Sequence, residues 1–209
     1  MASDVAFWDR TAAKYAADPI ADMAGYERTL TRVAGLLAPG DSVLECGCGT
    51  GMTALRLAPR VRAYRATDLS AGMIAIAEDR RAADPVPGLT FDVATVEQVA
   101  VAGGPACDVV LGFNWLHLVP DLAATLKAVR AVLKPGGRFI TKTTCLRELN
   151  PLLPVAIRAM RLFGKAPRTV RVFSAAELEA AMVSAGFSIV AVERHGTGRR
   201  DPRVFIVAT

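Results

Sequence analysis

Short runs of β-branched and apolar residues alternate along this chain with stretches whose apolar side chains recur every three or four positions. That alternation predicts an α/β fold on a mainly parallel sheet, with helices on both faces. The runs predict seven strands, at Ser42–Cys46, Ala63–Thr67, Leu89–Val93, Asp108–Phe113, Arg138–Thr143, Phe187–Glu193 and Arg203–Ala208. Between them, Tyr26, Leu30, Val33 and Leu37 keep helical spacing up to the stop Ala38-Pro39-Gly40. Leu122, Leu126, Val129 and Leu133 do the same before Pro135-Gly136-Gly137. Ser174 and Glu177 form a capping box that opens a helix over Ala175–Ala185, which Gly186 closes. Only the polar, glycine-bearing stretch His195–Pro202 separates the last two strands, too little for a helical crossover, so the sheet is expected to end with an antiparallel strand.

Composition narrows the class. A chain of 209 residues fits one domain, and with 52% apolar and 22% charged residues it has the means to bury a core. The longest nearly apolar run, Val109–Val119, is too short to span a bilayer, and Met1–Arg10 lacks the basic and apolar regions of a secretory signal. A cytoplasmic protein without a transmembrane segment is expected. The four cysteines are too sparse for a disulfide framework, and the two histidines show no ligand spacing, so no metal is expected.

Candidate chemistry begins at the first strand, where Val43-Leu-Glu-Cys-Gly-Cys-Gly-Thr-Gly51 runs into a turn with glycines at alternate positions. Such a turn lets bare backbone approach a ligand, and a helix start supplies free N–H groups. Read from Gly49, the stretch to Ala54 satisfies G-x-G-x-x-A, which keeps an NAD(P)-dependent oxidoreductase open as an alternative. Glu45 argues the other way, because an acid before the loop repels a pyrophosphate and attracts an ammonium group. Asp68, closing the second strand, suits the two hydroxyls of a ribose in either cofactor.

Four motifs carry a family resemblance: Glu45-Cys-Gly-Cys-Gly-Thr-Gly51, Asp68-Leu-Ser-Ala-Gly-Met73, Gly112-Phe-Asn-Trp-Leu-His-Leu-Val-Pro-Asp121 and Leu133-Lys-Pro-Gly-Gly-Arg-Phe139. In order and spacing the chain resembles the class I S-adenosylmethionine-dependent methyltransferases of Rossmann-like fold and small-molecule type, over about residues 40–145 and more loosely from 173 onward. The resemblance implies S-adenosyl-L-methionine as cofactor, with its methionine part held by Glu45, Gly47, Cys48, Gly49 and Gly51 and its ribose by Asp68. It implies Leu69 and Met73 against the adenine, Asn114 beside the methionine portion, and Tyr15 with Trp8 in a covering flap within a helical cap over residues 1–40. Relatives commonly carry Gly-Asp after the third strand; here the pair is Ala94-Thr95, so Thr95 or the Val96 backbone is left to meet the adenine edge.

A sulfonium methyl needs little activation beyond in-line positioning, and a protonated acceptor also needs a base. His117, in the loop after the fourth strand with Trp115 beside it, is the candidate, packing being the other reading. Residues 146–172 break the strand-helix rhythm and read as a substrate lid, with Leu153, Ile157 and Met160 on one helical face and Arg158, Arg161 and Lys165 on another. Residues 146–209 hold 10 basic and 5 acidic residues, the whole of the net charge of +5. An acidic or amphipathic small molecule is one reading of that excess, and a solvated surface is the other. Nucleic acid is disfavoured, since no recognition module or aromatic interleaving accompanies the basic residues. A methyltransferase-like protein that binds cofactor without turnover is a third alternative, and the oligomeric state is left open.

Overall fold

The computed structural model describes residues 2–104, 106–149, 153–162, 166–198 and 201–209. The strands are β1 (Ser42–Cys46), β2 (Ala63–Asp68), β3 (Leu89–Val93), β4 (Cys107–Phe113), β5 (Leu133–Thr144), β6 (Ile189–Arg194) and β7 (Arg203–Ala208). They form one sheet in the order β3-β2-β1-β4-β5-β7-β6. Neighbours from β3 to β5 pair in parallel, and β7 lies antiparallel to both β5 and β6. The order reverses between β1 and β4, which opens a crevice at their carboxyl ends.

Strand parity divides the core. Val109 and Leu111 of β4 join Val43, Tyr64, Ile140 and Phe205 beneath α2 (Met23–Ala34), α3 (Met52–Leu57) and α4 (Ala71–Ala83). Val110 joins Leu44, Cys46, Phe139 and Ile206 beneath α5 (Val96–Ala102), α6 (Leu122–Val132) and α8 (Ala175–Ser184). Successive side chains thus feed opposite layers, which is why the central strands are apolar almost throughout. Two further helices, α1 (Ala2–Ala17) and α7 (Leu153–Leu162), sit around the crevice.

Boundaries shift where side chains or bulges intervene. The Pro135-Gly136-Gly137 stop lies inside β5 as a bulge, since the pairing passes from Cys107 with Leu133 to Val109 with Arg138. β6 begins at Ile189 and not Phe187, because the Phe187 N–H donates to the Met182 carbonyl and closes α8. The helix expected through Leu37 ends at Ala34, with the Gly35 N–H returning to Thr31 and Val33.

The lid helix departs from its expected faces. Ile157 is buried, Met160 is 44% exposed, and the Arg161 guanidinium donates to the carbonyls of Pro167 and Val170. Ile157 and Arg161 lie one turn apart, so the inward face carries both. Arg158 alone of that expected stripe is described as an exposed cation, and Lys165 lies outside the described residues.

Candidate active site

A cavity of about 990 Å³ opens at the switch point between β1 and β4. Its floor comes from the ends of β1, β2 and β4, which bring Cys46, Gly47, Gly49, Asp68, Leu69 and Asn114 to one surface. Met73, Thr95, Val96, Tyr15 and His117 also line it. Among the residues expected from sequence, Glu45, Cys48 and Gly51 do not.

The three loop glycines turn out to serve three purposes. All have positive φ, at 68°, 54° and 77° for Gly47, Gly49 and Gly51. A Cβ on Gly47 would meet Trp115 at 2.6 Å, so this glycine seats the indole that walls the cavity. A Cβ on Gly49 would meet only Tyr15, at 3.8 Å, so this is the position that leaves backbone open to a ligand. On Gly51 it would strike the Phe91 ring at 2.7 Å and Ala77 at 2.8 Å, where helix packs on strand. Gly51→Ala is therefore expected to lower stability by about 2 kcal/mol through a left-handed backbone and overpacking. Urea denaturation would read that loss, and an unchanged midpoint would remove Gly51 from the packing role.

Asp68 is held by backbone donors. Its carboxylate accepts the Gly49 N–H at 3.0 Å and the Ser70 N–H at 2.9 Å, which ties the end of β2 to the glycine loop. The Leu69 N–H also favours the charged form, and with about four acceptor positions the carboxylate keeps capacity beyond these donors. Burial pushes the Asp68 pKa up, although the N–H donors oppose that shift.

Glu45, expected at the methionine part of the cofactor, is not among the residues that line the cavity. It shares the parity of Val43, is 2% exposed, and accepts the Tyr64 hydroxyl at 2.8 Å within the layer beneath α2 and α3. Burial raises its pKa to about 8. Cys46, of opposite parity, lines the cavity. Cys48 is buried as well, with its N–H on the Thr67 carbonyl.

Thr95 is the N-cap of α5, forming a reciprocal capping box with Gln98. Its own N–H goes to the Gln98 side chain at 2.8 Å and its hydroxyl oxygen accepts the Gln98 N–H at 3.4 Å, and both Thr95 and Val96 line the cavity. Asn114 takes φ 52°, unusual for a residue other than glycine, with its N–H on the Lys142 carbonyl at 2.7 Å. Backbone strain of that kind gathers at ligand sites.

The roof is pinned at three places. The Asp4 carboxylate of α1 accepts the Arg168 and Thr169 N–H groups at 2.6 and 3.1 Å and the Thr169 hydroxyl at 2.9 Å. Asp9 accepts the Ser70 hydroxyl and the Gly72 N–H, and Arg80 reaches from α4 to both Thr50 and the Ala16 carbonyl. Asp4 gave no motif in the sequence, and its partners lie more than 160 residues away. In Asp4→Ala the Arg168 and Thr169 amides are expected to exchange with deuterium about tenfold faster or more, as a charge-assisted bond is lost. Unaltered exchange would mean that the roof is held elsewhere.

His117 sits in a 3-10 turn, Leu116–Leu118, with Nδ1 3.1 Å from the Thr143 hydroxyl. Burial lowers its pKa to about 4, so the ring is neutral near pH 7. Two acids on the cavity wall are engaged elsewhere: Glu97 accepts the Thr125 hydroxyl at 2.6 Å, and Asp121 caps α6. No Lys or Arg side chain lines the cavity among the described residues. Nor do three His, Cys, Asp or Glu side chains among them converge as a metal site.

Residues 13–192 match the methyltransferase-domain family. The chain belongs to that family. It is 30% identical over 129 residues to the highly reducing polyketide synthase lcsB of Purpureocillium lilacinum, a match that takes in 56% of this chain and 5% of the synthase. It is 28% identical over 134 residues to the ubiquinone biosynthesis O-methyltransferase of Paracidovorax citrulli, covering 63% of this chain and 56% of that enzyme. The chain thus spans little of the synthase and about half of the ubiquinone enzyme. In fold it is similar to DhpI in complex with SAH, with TM-score 0.76, 22% identity and coverage of 99% and 95% of the two chains. It also resembles the magnesium protoporphyrin IX methyltransferase of Synechocystis PCC 6803 with bound SAM, with TM-score 0.65, 19% identity and coverage of 88% and 79%. The oxidoreductase alternative, which rested on Gly49 to Ala54, gives way to this family.

Proposed function

We propose that this methyltransferase acts on a largely apolar small molecule that carries an oxygen function. The observation behind the reading is one cavity whose wall combines two kinds of residue. Gly49, Asp68, Leu69 and Met73 come from the strand ends and the segments after them, Leu146, Leu149, Ile157 and Val170 come from the segment after β5, and His117 comes from the loop after β4. At about 990 Å³ it lies near the top of the range for ligand pockets, roughly 300–1,000 Å³, which suits two ligands side by side.

S-adenosylmethionine supplies an electrophilic methyl group on a sulfonium sulfur. In this reading Asp68 accepts the ribose hydroxyls, and Leu69 and Met73 pack on the adenine. The Val96 N–H and the Thr95 hydroxyl serve the adenine edge, while the Gly47 and Gly49 backbone and Asn114 hold the methionine portion. Trp8 and Tyr15 exclude water from above. The apolar wall and His117 orient the acceptor for in-line attack.

An amphipathic acceptor accords with this wall. A basic stripe that captures acids is less well supported, because Arg161 is committed to the lid's own carbonyls. One relative is named a ubiquinone biosynthesis O-methyltransferase, which accords with an acceptor that carries an oxygen function. A cytoplasmic setting belongs to the proposal on the ground of the sparse cysteines.

Calorimetry with S-adenosylhomocysteine and with NADH tests the first half, and binding of NADH alone would sink it. A panel of apolar phenols, ketones and carboxylic acids, offered with methyl-labelled S-adenosylmethionine, tests the second. Label transfer only to hydrophilic acceptors would overturn the substrate class.

A further inference from the structure

His117 reads as a base until the hydrogens around it are counted. Its Nδ1 faces the Thr143 hydroxyl at 3.1 Å, and among the described residues that hydroxyl has no other hydrogen-bonding partner. Thr143 is fully buried, so bulk water does not reach it. Were the proton on Nδ1, it would point at the threonine oxygen, and the threonine's own hydrogen would be left buried without an acceptor. Were the threonine hydrogen directed at a bare Nδ1, both groups would be satisfied, as buried polar groups nearly always are. The second arrangement leaves the ring proton on Nε2, which has no partner among the described residues on a ring that lines the cavity.

We infer that Thr143 holds His117 as its Nε2–H tautomer, making the ring a hydrogen-bond donor to an oxygen of the methyl acceptor and not a base. This rests on the reading of the cavity as a methyl-transfer site. Further supports come from the same neighbourhood. The His117 carbonyl accepts the Arg171 N–H at 2.7 Å, which fixes the turn against the lid segment. Burial keeps the ring from taking a second proton near neutral pH. With no Lys or Arg side chain on the wall among the described residues, a negatively charged oxygen there is met by neutral donors, of which a His117 Nε2–H is one.

The substrate class follows. The acceptor presents an oxygen that bears negative charge, as in a carboxylate or an enolate, whose proton has gone to solvent before transfer. An electron pair of that anion forms the bond to the methyl carbon, the carbon–sulfur bond breaks, and its pair remains on sulfur. The imidazole neither gains nor loses a proton. Thr143 is a positioning residue in this scheme, acting through His117.

The chain has two histidines, so nitrogen-15 NMR of histidine-labelled protein resolves the tautomer directly, with His117→Gln assigning the signals. Spectra are recorded near pH 7 with and without S-adenosylhomocysteine. The expected result is an Nε2–H population at least about tenfold above Nδ1–H, in keeping with one buried hydrogen bond. In Thr143→Val that preference should fall to within about threefold, and in Thr143→Ser it should return. Dominance of Nδ1–H in the native protein, or an unchanged preference in a folded Thr143→Val, overturns the inference. If the valine variant fails to fold, the native and serine spectra still decide. Loss of S-adenosylhomocysteine binding by the native protein would count against the methyl-transfer site instead, and leave the tautomer readout standing.

Discussion

Asp68→Ala is expected to weaken S-adenosylhomocysteine binding about a hundredfold, equivalent to about 2.7 kcal/mol, while the fold stays intact. Two charge-assisted bonds to a ribose contribute on the order of 1.5–3 kcal/mol each, and water recovers part of that loss in the variant. The carboxylate also accepts the Gly49 N–H, so alanine frees the glycine loop as well. Asp68→Asn separates the two contributions. Its amide oxygen can keep the Gly49 bond but offers one acceptor fewer to the ribose, and it should cost about tenfold. Calorimetry reads both variants, with circular dichroism to check folding. Equal affinity in native protein and Asp68→Ala would remove Asp68 from the ribose.

Why Asp68 was readable and other parts were not is a matter of locality. The end of β2 is marked by a strand, an acid and the Ser70 cap within a few residues, and a glycine turn announces itself by spacing alone. The antiparallel β7 follows from the short connection His195–Pro202 that the sequence displays. α5 also had its signal, since Thr95 and Gln98 form a capping box before the apolar Val96 and Val99, though its seven residues make a faint period. The Thr143 contact with His117 depends on β4 and β5 being neighbours, and that of Asp4 with Thr169 joins opposite ends of the chain. Neither residue type is distinctive on its own, so the spacing of the sequence carries no trace of these contacts.

The lid shows a related limit. Residues 158, 161 and 165 do share helical spacing, but so do 157 and 161, and the tertiary environment selects which face turns inward. Carbonyls of Pro167 and Val170 needed donors, and the Arg161 guanidinium is long enough to supply them from the turn after Ile157. Net charge thus overstated what this segment offers to a ligand. The same carbonyl contacts, together with Asp4, tie α1 and α7 to the 166–170 segment beside the cavity.

Glu45 supplies the strongest pH dependence. Its ordinary value is 4.5, and burial raises it to about 8 in the folded chain despite the Tyr64 hydroxyl that favours the charged form. The folded state therefore holds a proton that the unfolded state releases between those values. Stability from this group is fully present below about pH 4.5 and is lost as pH rises toward 8. The shift corresponds to a loss on the order of 3–5 kcal/mol across that window. Glu45→Gln mimics the protonated acid, can still accept the tyrosine hydroxyl, and does not titrate. Urea denaturation at pH 5, 6, 7 and 8 is expected to show native stability falling relative to the variant, with Glu45→Gln the more stable protein at pH 8. Because the side chain is turned from the cavity, S-adenosylhomocysteine affinity should change by less than about threefold, under about 0.7 kcal/mol. A parallel pH profile for the two proteins would show that the buried acid is already ionised. A tenfold or greater loss of affinity in Glu45→Gln would instead restore the carboxylate to the cofactor's ammonium group, and with it the role its place before the glycine turn suggests.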